Sequence, residues 1–141
     1  MFVLDTNVIS ELRQGKSNQS PEVRAWAAAQ QASQLFLSAI TILELEKGIQ
    51  SLERRTPQQG SALRAWLTGV GIAFAGRILP FTEHTARVCA ALHVPNTRAE
   101  RDAMIAATAI EHGFTVVTRN VPDFIHTGVQ LFNPWAPGAA G

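Results

Sequence analysis

The sequence of 141 residues contains three aspartates, and each stands where a carboxylate could do chemistry. Asp5 ends the apolar run Met1–Leu4, which has the length and composition of a buried strand. Asp123 closes a short loop after a second apolar run, TVVT (residues 115–118). Asp102 lies in the first turns of the helical segment that leads into that run. Their positions predict that all three carboxylates lie at one edge of a sheet.

Asp102 belongs to an apolar helical stripe rather than to a solvated face. With Ile105, Ala106 and Ala109 it occupies positions i, i+3, i+4 and i+7. A carboxylate on such a stripe is costly unless it is paired or bound to a cation. The pattern therefore predicts a partner for Asp102.

A fourth acid, Glu44, lies early in the helical segment that follows the apolar run LFLSAI (residues 35–40). Thr41 and Glu44 have the spacing of a capping box, which on this evidence alone favours a structural role for the glutamate. Glu46 is the local rival, and the spacing does not choose between the two glutamates. Both interpretations stay open at the level of the residues.

Each aspartate also has a plain structural interpretation. Asp5 and Asp123 suit Asx turns, and Asp102 suits the first turn of a helix. Three at the same predicted edge, with Glu44 nearby, favour a shared site instead. Crowded carboxylates need a cation, and an all-oxygen ligand set is typical of Mg²⁺ or Mn²⁺, which can activate water against a phosphodiester. The histidines form no pattern with a nucleophile; they are His84, His93, His112 and His126.

The elements that must position these acids alternate between strands and helices. This alternation predicts an α/β fold with a central parallel sheet of four to five strands and helices on both faces, with function at the C-terminal ends of the strands. Gly113 is the predicted stop of the last helix, and Pro80 predicts an edge position for the third strand. Strands are predicted over 1–4, 35–40, 78–81, 115–118 and 129–132, and helices over 21–31, 41–52, 61–75, 82–94 and 98–112.

Composition bounds the class of protein. The length suits one domain, expected over 1–134, followed by a flexible tail over 135–141. Formal net charge is only +1, so no basic field indicates nucleic acid, and 46% hydrophobic residues favour a compact fold with some apolar surface for a partner. Cys89 is the single cysteine and is expected in the core. Because no leader or membrane segment is evident, we expect a cytoplasmic protein.

Four stretches, taken in order, resemble the signature motifs of a known family. MFVLDTNVISEL, SAITILELEKGI, RDAMIAATA and TVVTRNVPDF are similar to those of PIN-domain ribonucleases, and more closely to the VapC/FitB-like toxins of bacterial toxin–antitoxin pairs. The resemblance runs from Met1 to about Pro134. One departure is the segment 93–102, which lacks the Gly-rich approach that many relatives have before the helical aspartate.

The resemblance implies an Mg²⁺- or Mn²⁺-dependent endoribonuclease with a PIN-like three-layer sandwich. It also implies a homodimer that acts on RNA and is neutralised by a small antitoxin, whose C-terminal segment threads into the active-site groove. The implied acidic cluster comprises Asp5, Glu44, Asp102 and Asp123, which favours Glu44 over Glu46. Thr6, Asn7, Thr118 and Asn120 match the polar residues that orient the carboxylates, while Arg119 is either a phosphate contact or a solvated loop residue.

Other classes of protein fit less well. A haloacid-dehalogenase-type phosphatase would need an acid at position 7, which is Asn7, and a response-regulator receiver would need an acid ending the third strand and a late lysine. The better alternative is a catalytically inactive PIN-fold protein that only binds RNA or a partner. Retention of four costly carboxylates argues against it, and low net charge argues against tight nonspecific RNA binding.

Overall fold

A five-stranded, all-parallel sheet forms the centre of the computed structural model, which describes residues 1–136. The strand order is β3-β2-β1-β4-β5, so the first strand is central and the predicted α/β class is confirmed. Neighbouring strands pair in parallel throughout, with Val3 opposite Phe36 on one side and Val116 on the other. The strands are β1 (Phe2–Leu4), β2 (Leu35–Ser38), β3 (Ile78–Leu79), β4 (Thr115–Val117) and β5 (Leu131–Phe132).

Six α-helices flank the sheet within residues 1–136 and complete three layers. Gly113 ends the last of them in the left-handed conformation (φ 71°), as its position in the sequence predicts. The helices are α1 (Thr6–Glu11), α2 (Pro21–Ala29), α3 (Ala39–Arg55), α4 (Pro57–Ala73), α5 (Glu83–Leu92) and α6 (Glu100–His112). None of the described helices is long and apolar enough to cross a bilayer.

The side chains of the central strands alternate between the two faces of the sheet, which divides the core into two main halves. Leu4 and Val117 pack into a cluster with Val8 and Trp26, whereas their neighbours Val3 and Val116 pack into another with the apolar face of α6. Since successive strand side chains point to opposite faces, each short strand anchors both helical layers. The sheet is thereby fixed beneath the loops that follow β1, β2 and β4.

Two element predictions near the site are wrong in their boundaries. Strand β2 stops at Ser38, because the Ser38 hydroxyl accepts the N–H of Ile40 (3.0 Å) and caps α3 two residues before the predicted start. Thr41 is therefore inside the helix, and the capping box that it would form with Glu44 does not exist. Helix α1, which the sequence analysis did not predict, begins directly after Asp5.

The remaining elements agree with the sequence to within a few residues. Helix α4 begins at Pro57 and continues without a break through Gly69 and Gly71. Strand β3 is at the sheet edge, as Pro80 predicts, and Cys89 is buried. Trp135, placed in the predicted tail, packs against the core; residues 137–141 of that tail lie outside the described residues, so its flexibility stays a prediction.

Candidate active site

Asp5 is buried at the C-terminal end of the central strand, with only 6% of its surface exposed. Three groups donate to its carboxylate: the N–H of Thr6 (2.8 Å), the Thr118 hydroxyl (2.8 Å) and the Asn7 amide (3.1 Å). Burial raises the pKa of Asp5, the donors from Thr118 and Thr6 lower it, and the charge of Glu44 raises it again. These donors fix the carboxylate in one orientation. Asp5 also caps the N-terminus of α1, but a capping role alone would not require its burial.

The polar residues around Asp5 connect β1 with the loop after β4. The Thr118 hydroxyl, which donates to Asp5, also accepts the N–H of Asn120 (3.0 Å). Asn7 accepts the N–H of Arg119 (3.2 Å) on its side-chain oxygen. Asn120 thus joins this hydrogen-bond network through its backbone N–H. The roles predicted for these side chains in a reaction stay predictions.

Glu44 faces the Asp5 side of the site, whereas Glu46 does not. The Thr6 hydroxyl lies 2.9 Å from Glu44 Oε1, so one residue connects Glu44 with Asp5. Glu46 instead accepts on both of its oxygens from Nη1 of Arg64 on α4 (2.8 Å each). The structure therefore brings Glu44 to the other acids and places Glu46 in the bridge between two helices.

Asp102 and Asp123 approach from the opposite side of β1. Helix α6 runs antiparallel to the strands, so its first turn, which carries Asp102, lies over the same sheet edge as Asp5. Asp123 ends a short 3-10 turn (Val121–Asp123) after β4 and is exposed. Because β1 lies between β2 and β4, the four predicted acids converge at this edge.

Electrostatics show that these acids share one environment, which we call the acid cluster (Asp5, Glu44, Asp102 and Asp123). Burial is the largest cause that raises the pKa of Asp102; together with the charges of Asp5, Asp123 and Glu44, in that order, it brings this pKa to about 6. No hydrogen bond to Asp102 offsets these effects within the described residues. An uncompensated carboxylate among like charges favours a cation beside it.

The donor set of the acid cluster fits a hard divalent cation. Within residues 1–136, no three His, Cys, Asp or Glu side chains stand close enough to form a ready metal cage. Magnesium, however, keeps several waters and is commonly held by one or two carboxylates plus substrate phosphate oxygens. The mutual repulsion at Asp102 is what such a cation would relieve, and every side chain in the cluster offers oxygen.

Two grooves that share Trp66 lie between α1, α3 and α4, and Glu44 of the acid cluster lines one of them. The groove with Glu44, of about 330 Å³, is also lined by the charged residues Arg13 and Lys16 and by the apolar residues Leu63 and Trp66. The other, of about 400 Å³, also borders Trp66 and is wholly apolar; among its lining residues are Ile9, Leu12, Val70 and Phe74. We call these two grooves together the channel; one groove is lined by apolar residues, and the other includes charged side chains, Glu44 among them.

Sequence reasoning missed one charged residue at the site. Arg101 Nη1 lies 3.5 Å from Glu44 Oε2 and joins the first turn of α6 to α3. No motif marks this arginine, and its position next to Asp102 was the one available signal. Arg119, by contrast, has its guanidinium carbon 5.4 Å from the centre of the Trp135 ring, where the ring restrains it.

Comparison with known proteins agrees with this fold and these motifs. The family model for the PIN domain matches residues 2–128, and the chain belongs to that family. It is 40% identical to "VapC ribonuclease Y4jK" of Sinorhizobium fredii (97% of this chain, 99% of the relative) and 38% identical to "Toxin FitB" of Neisseria gonorrhoeae (96% and 99%). The crystal structure of FitAcB from N. gonorrhoeae superposes with a TM-score of 0.86 at 37% identity, covering 96% of this chain and 99% of that one.

Proposed function

We propose that this protein is a divalent-metal-dependent endoribonuclease that acts as the toxin of a toxin–antitoxin pair. The observation that carries the proposal is the surroundings of Asp102, whose pKa is raised first by burial and then by the charges of three other carboxylates at the C-terminal edge of the sheet. Membership of the PIN family and similarity to a named VapC ribonuclease and a named toxin support the reaction class and the biological role.

Asp5 and Asp102 would hold Mg²⁺ or Mn²⁺, and Glu44 and Asp123 would complete the cluster or orient the attacking water. A bound metal would supply Lewis acidity toward the phosphate and lower the pKa of a bound water. The chain's own contribution is orientation: Thr6, Asn7 and Thr118 fix Asp5 through hydrogen bonds, and Thr6 also reaches Glu44.

The proposed reaction is hydrolysis of single-stranded or loop RNA. The water oxygen bonds to phosphorus, the bond from phosphorus to the 3′ oxygen breaks, and that oxygen takes a proton. The products are a 3′-hydroxyl and a 5′-phosphate, and the ribose 2′-hydroxyl takes no part. Carboxylates rather than paired histidines at the site support this route.

The activity is tested by incubating RNA with the purified protein and Mg²⁺ or Mn²⁺, beside the Asp102→Asn variant. Asparagine keeps the shape of the side chain and removes its charge. We expect cleavage by the wild type alone, abolished by a chelator. Equal cleavage by both proteins would contradict the site, and metal-dependent RNA binding without cleavage would favour the binding-only alternative.

A small antitoxin is the proposed partner, and the channel between α1, α3 and α4 is its proposed binding surface. Its apolar groove suits an amphipathic segment, and its charged groove is lined in part by Glu44, so an occupant would contact the acid cluster at that residue. We expect a small DNA-binding protein to be encoded directly upstream.

The upstream protein can be used to test this surface with two matched glycines of α3 and α4. Gly48 lines the charged groove and Gly71 lies outside the channel, and a Cβ at either position meets no neighbouring atom. Gly48→Glu should weaken binding of the purified upstream protein by at least about tenfold, and Gly71→Glu should leave it unchanged. Equal binding by both variants would refute this surface. The expected homodimer is checked separately by sedimentation of the free protein.

A further inference from the structure

Arg101 is, among the described residues, the one cation that forms an ion pair with a member of the acid cluster. It stands beside Asp102 in the first turn of α6, and its contact with Glu44 is a single one of 3.5 Å. About half of the Arg101 side chain is exposed (49%), against 22% for Glu44. The guanidinium therefore sits at the open edge of the site, between the acids and solvent.

The geometry of this pair is that of a weak, exchangeable contact. Arg64 shows what a firm bridge looks like in the same protein: its Nε and Nη2 donate to the two oxygens of Glu53 (3.2 and 3.0 Å), and its Nη1 donates to both oxygens of Glu46 (2.8 Å each). Arg101 makes one long contact and leaves its other N–H groups without a partner in residues 1–136. Exposed single contacts of this kind contribute little to stability and are readily replaced by a better acceptor.

Neither Glu44 nor α6 depends on Arg101 for its position. Glu44 Oε1 is held independently by the Thr6 hydroxyl at 2.9 Å. A cation in the first turn of a helix is also unfavourable, because the N-terminus carries the positive end of the helix dipole. A structural role therefore does not explain why residue 101 is an arginine.

The acid cluster itself supplies a functional reason. Four carboxylates repel a phosphodiester that approaches them, and the repulsion extends along the RNA strand to phosphates on either side of the cleaved bond. A guanidinium at the rim offers a fork of donors matched to phosphate oxygens. Arg101 is placed for this, within reach of the cluster and open to solvent.

We propose that Arg101 is a substrate-binding residue, which exchanges Glu44 for a backbone phosphate next to the cleaved bond. This inference rests on the proposed ribonuclease function. Contact with a neighbouring phosphate acts equally on bound substrate and transition state, so its loss raises KM and leaves kcat nearly unchanged.

The test compares Arg101→Gln and Arg101→Lys with Arg87→Gln. Arg87 is an exposed arginine paired with Glu83 on α5, so its loss changes net charge equally. Binding of a labelled single-stranded RNA is measured in chelator over a range of salt concentrations, and KM and kcat are measured with Mg²⁺ or Mn²⁺. Circular dichroism verifies that each variant is folded.

We expect Arg101→Gln to raise KM roughly fivefold and to make the slope of log affinity against log salt shallower by about 0.7, the value for one phosphate contact on single strands. Arg101→Lys should keep the slope, and Arg87→Gln should match the wild type. A wild-type slope and KM in Arg101→Gln would overturn the proposal. A higher kcat in Arg101→Gln would also overturn it, because it would mean that the ion pair with Arg101 inhibits Glu44. Absence of binding and cleavage in the wild type would instead refute the proposed function.

Discussion

Glu44 and Glu46 stand two residues apart on α3, and the structure gives them opposite surroundings. Helical periodicity could not separate them, because both flank the same apolar stripe. What separates them is the tertiary position of Thr6 beside Glu44 and of Arg64 beside Glu46. Neither contact is visible in the sequence, where the pairs are 38 and 18 residues apart.

This pair provides a matched test of the active site. We expect Glu44→Gln to lower kcat/KM for RNA by at least about 100-fold, because it removes a carboxylate from the acid cluster. Glu46→Gln should change kcat/KM by less than about twofold, since it alters contacts with Arg64 and Gln50, which lie outside the acid cluster. Equal losses in steady-state cleavage would show that the assignment of Glu44 is wrong.

Asp102 gives a prediction about stability and pH. Its pKa is raised to about 6, so the folded state binds the proton more tightly than the unfolded state. Asp102 is therefore least destabilising below its ordinary pKa, and its cost grows as pH rises through 6. In chelator, Asp102→Asn should be more stable than the wild type by on the order of 1 kcal/mol at pH 8, after allowance for solvent screening.

Urea denaturation of both proteins between pH 4 and pH 8 measures this difference. It should grow with pH and level off above 7. Glu100→Gln is the control, because it removes an acid from the same turn of α6 outside the acid cluster, and its difference from the wild type should not follow this curve. A difference for Asp102→Asn that is flat with pH would contradict the raised pKa of Asp102.

At the scale of elements, the hairpin of α3 and α4 depends on one close approach. A Cβ at Gly60 would lie 2.6 Å from both Cα and Cγ of Glu53, so the two helices can meet there only because residue 60 has no side chain. Gly71, further along α4, has nothing within 4 Å of the same position. The two glycines of one helix therefore have opposite expected effects.

We expect Gly71→Ala to stabilise the protein by about 0.5–1 kcal/mol through helix propensity. Gly60→Ala should destabilise it by roughly 1–3 kcal/mol, because the backbone of Glu53 cannot move aside without separating the helices. Chemical denaturation gives both values. Stabilisation by Gly60→Ala would mean that the helices pack less closely than described.

The sequence predicted the elements best where burial dominates. Strands β1 and β4 are short, but their apolar runs are buried on both faces, so their existence and parallel pairing followed from composition and alternation with helices. The predicted end of β2 was wrong because Ala39 and Ile40 continue its apolar run, and only the hydroxyl of Ser38 marks the helix start. Helix α1 was not predicted because six residues are too few to establish a helical period of apolar residues.

At the scale of the whole molecule, topology explains why the acids could be grouped before any contact was known. In a parallel sheet the strand ends share one edge, and with order β3-β2-β1-β4-β5 the loops after β1 and β4 flank the point where strand order reverses. Asp5, Asp102 and Asp123 follow from this rule alone. Arg101 and the channel do not, because they depend on how α1, α3, α4 and α6 pack.

The end groups of the cleaved RNA show whether the acid cluster directs metal-dependent hydrolysis. RNA cut by the wild-type protein with Mg²⁺ or Mn²⁺ is assayed for end groups by ligation and by phosphatase treatment. We expect 5′-phosphate and 3′-hydroxyl ends, which require attack by water. Ends carrying a 2′,3′-cyclic phosphate and a 5′-hydroxyl would show attack by the ribose 2′-hydroxyl and would contradict the proposed hydrolysis.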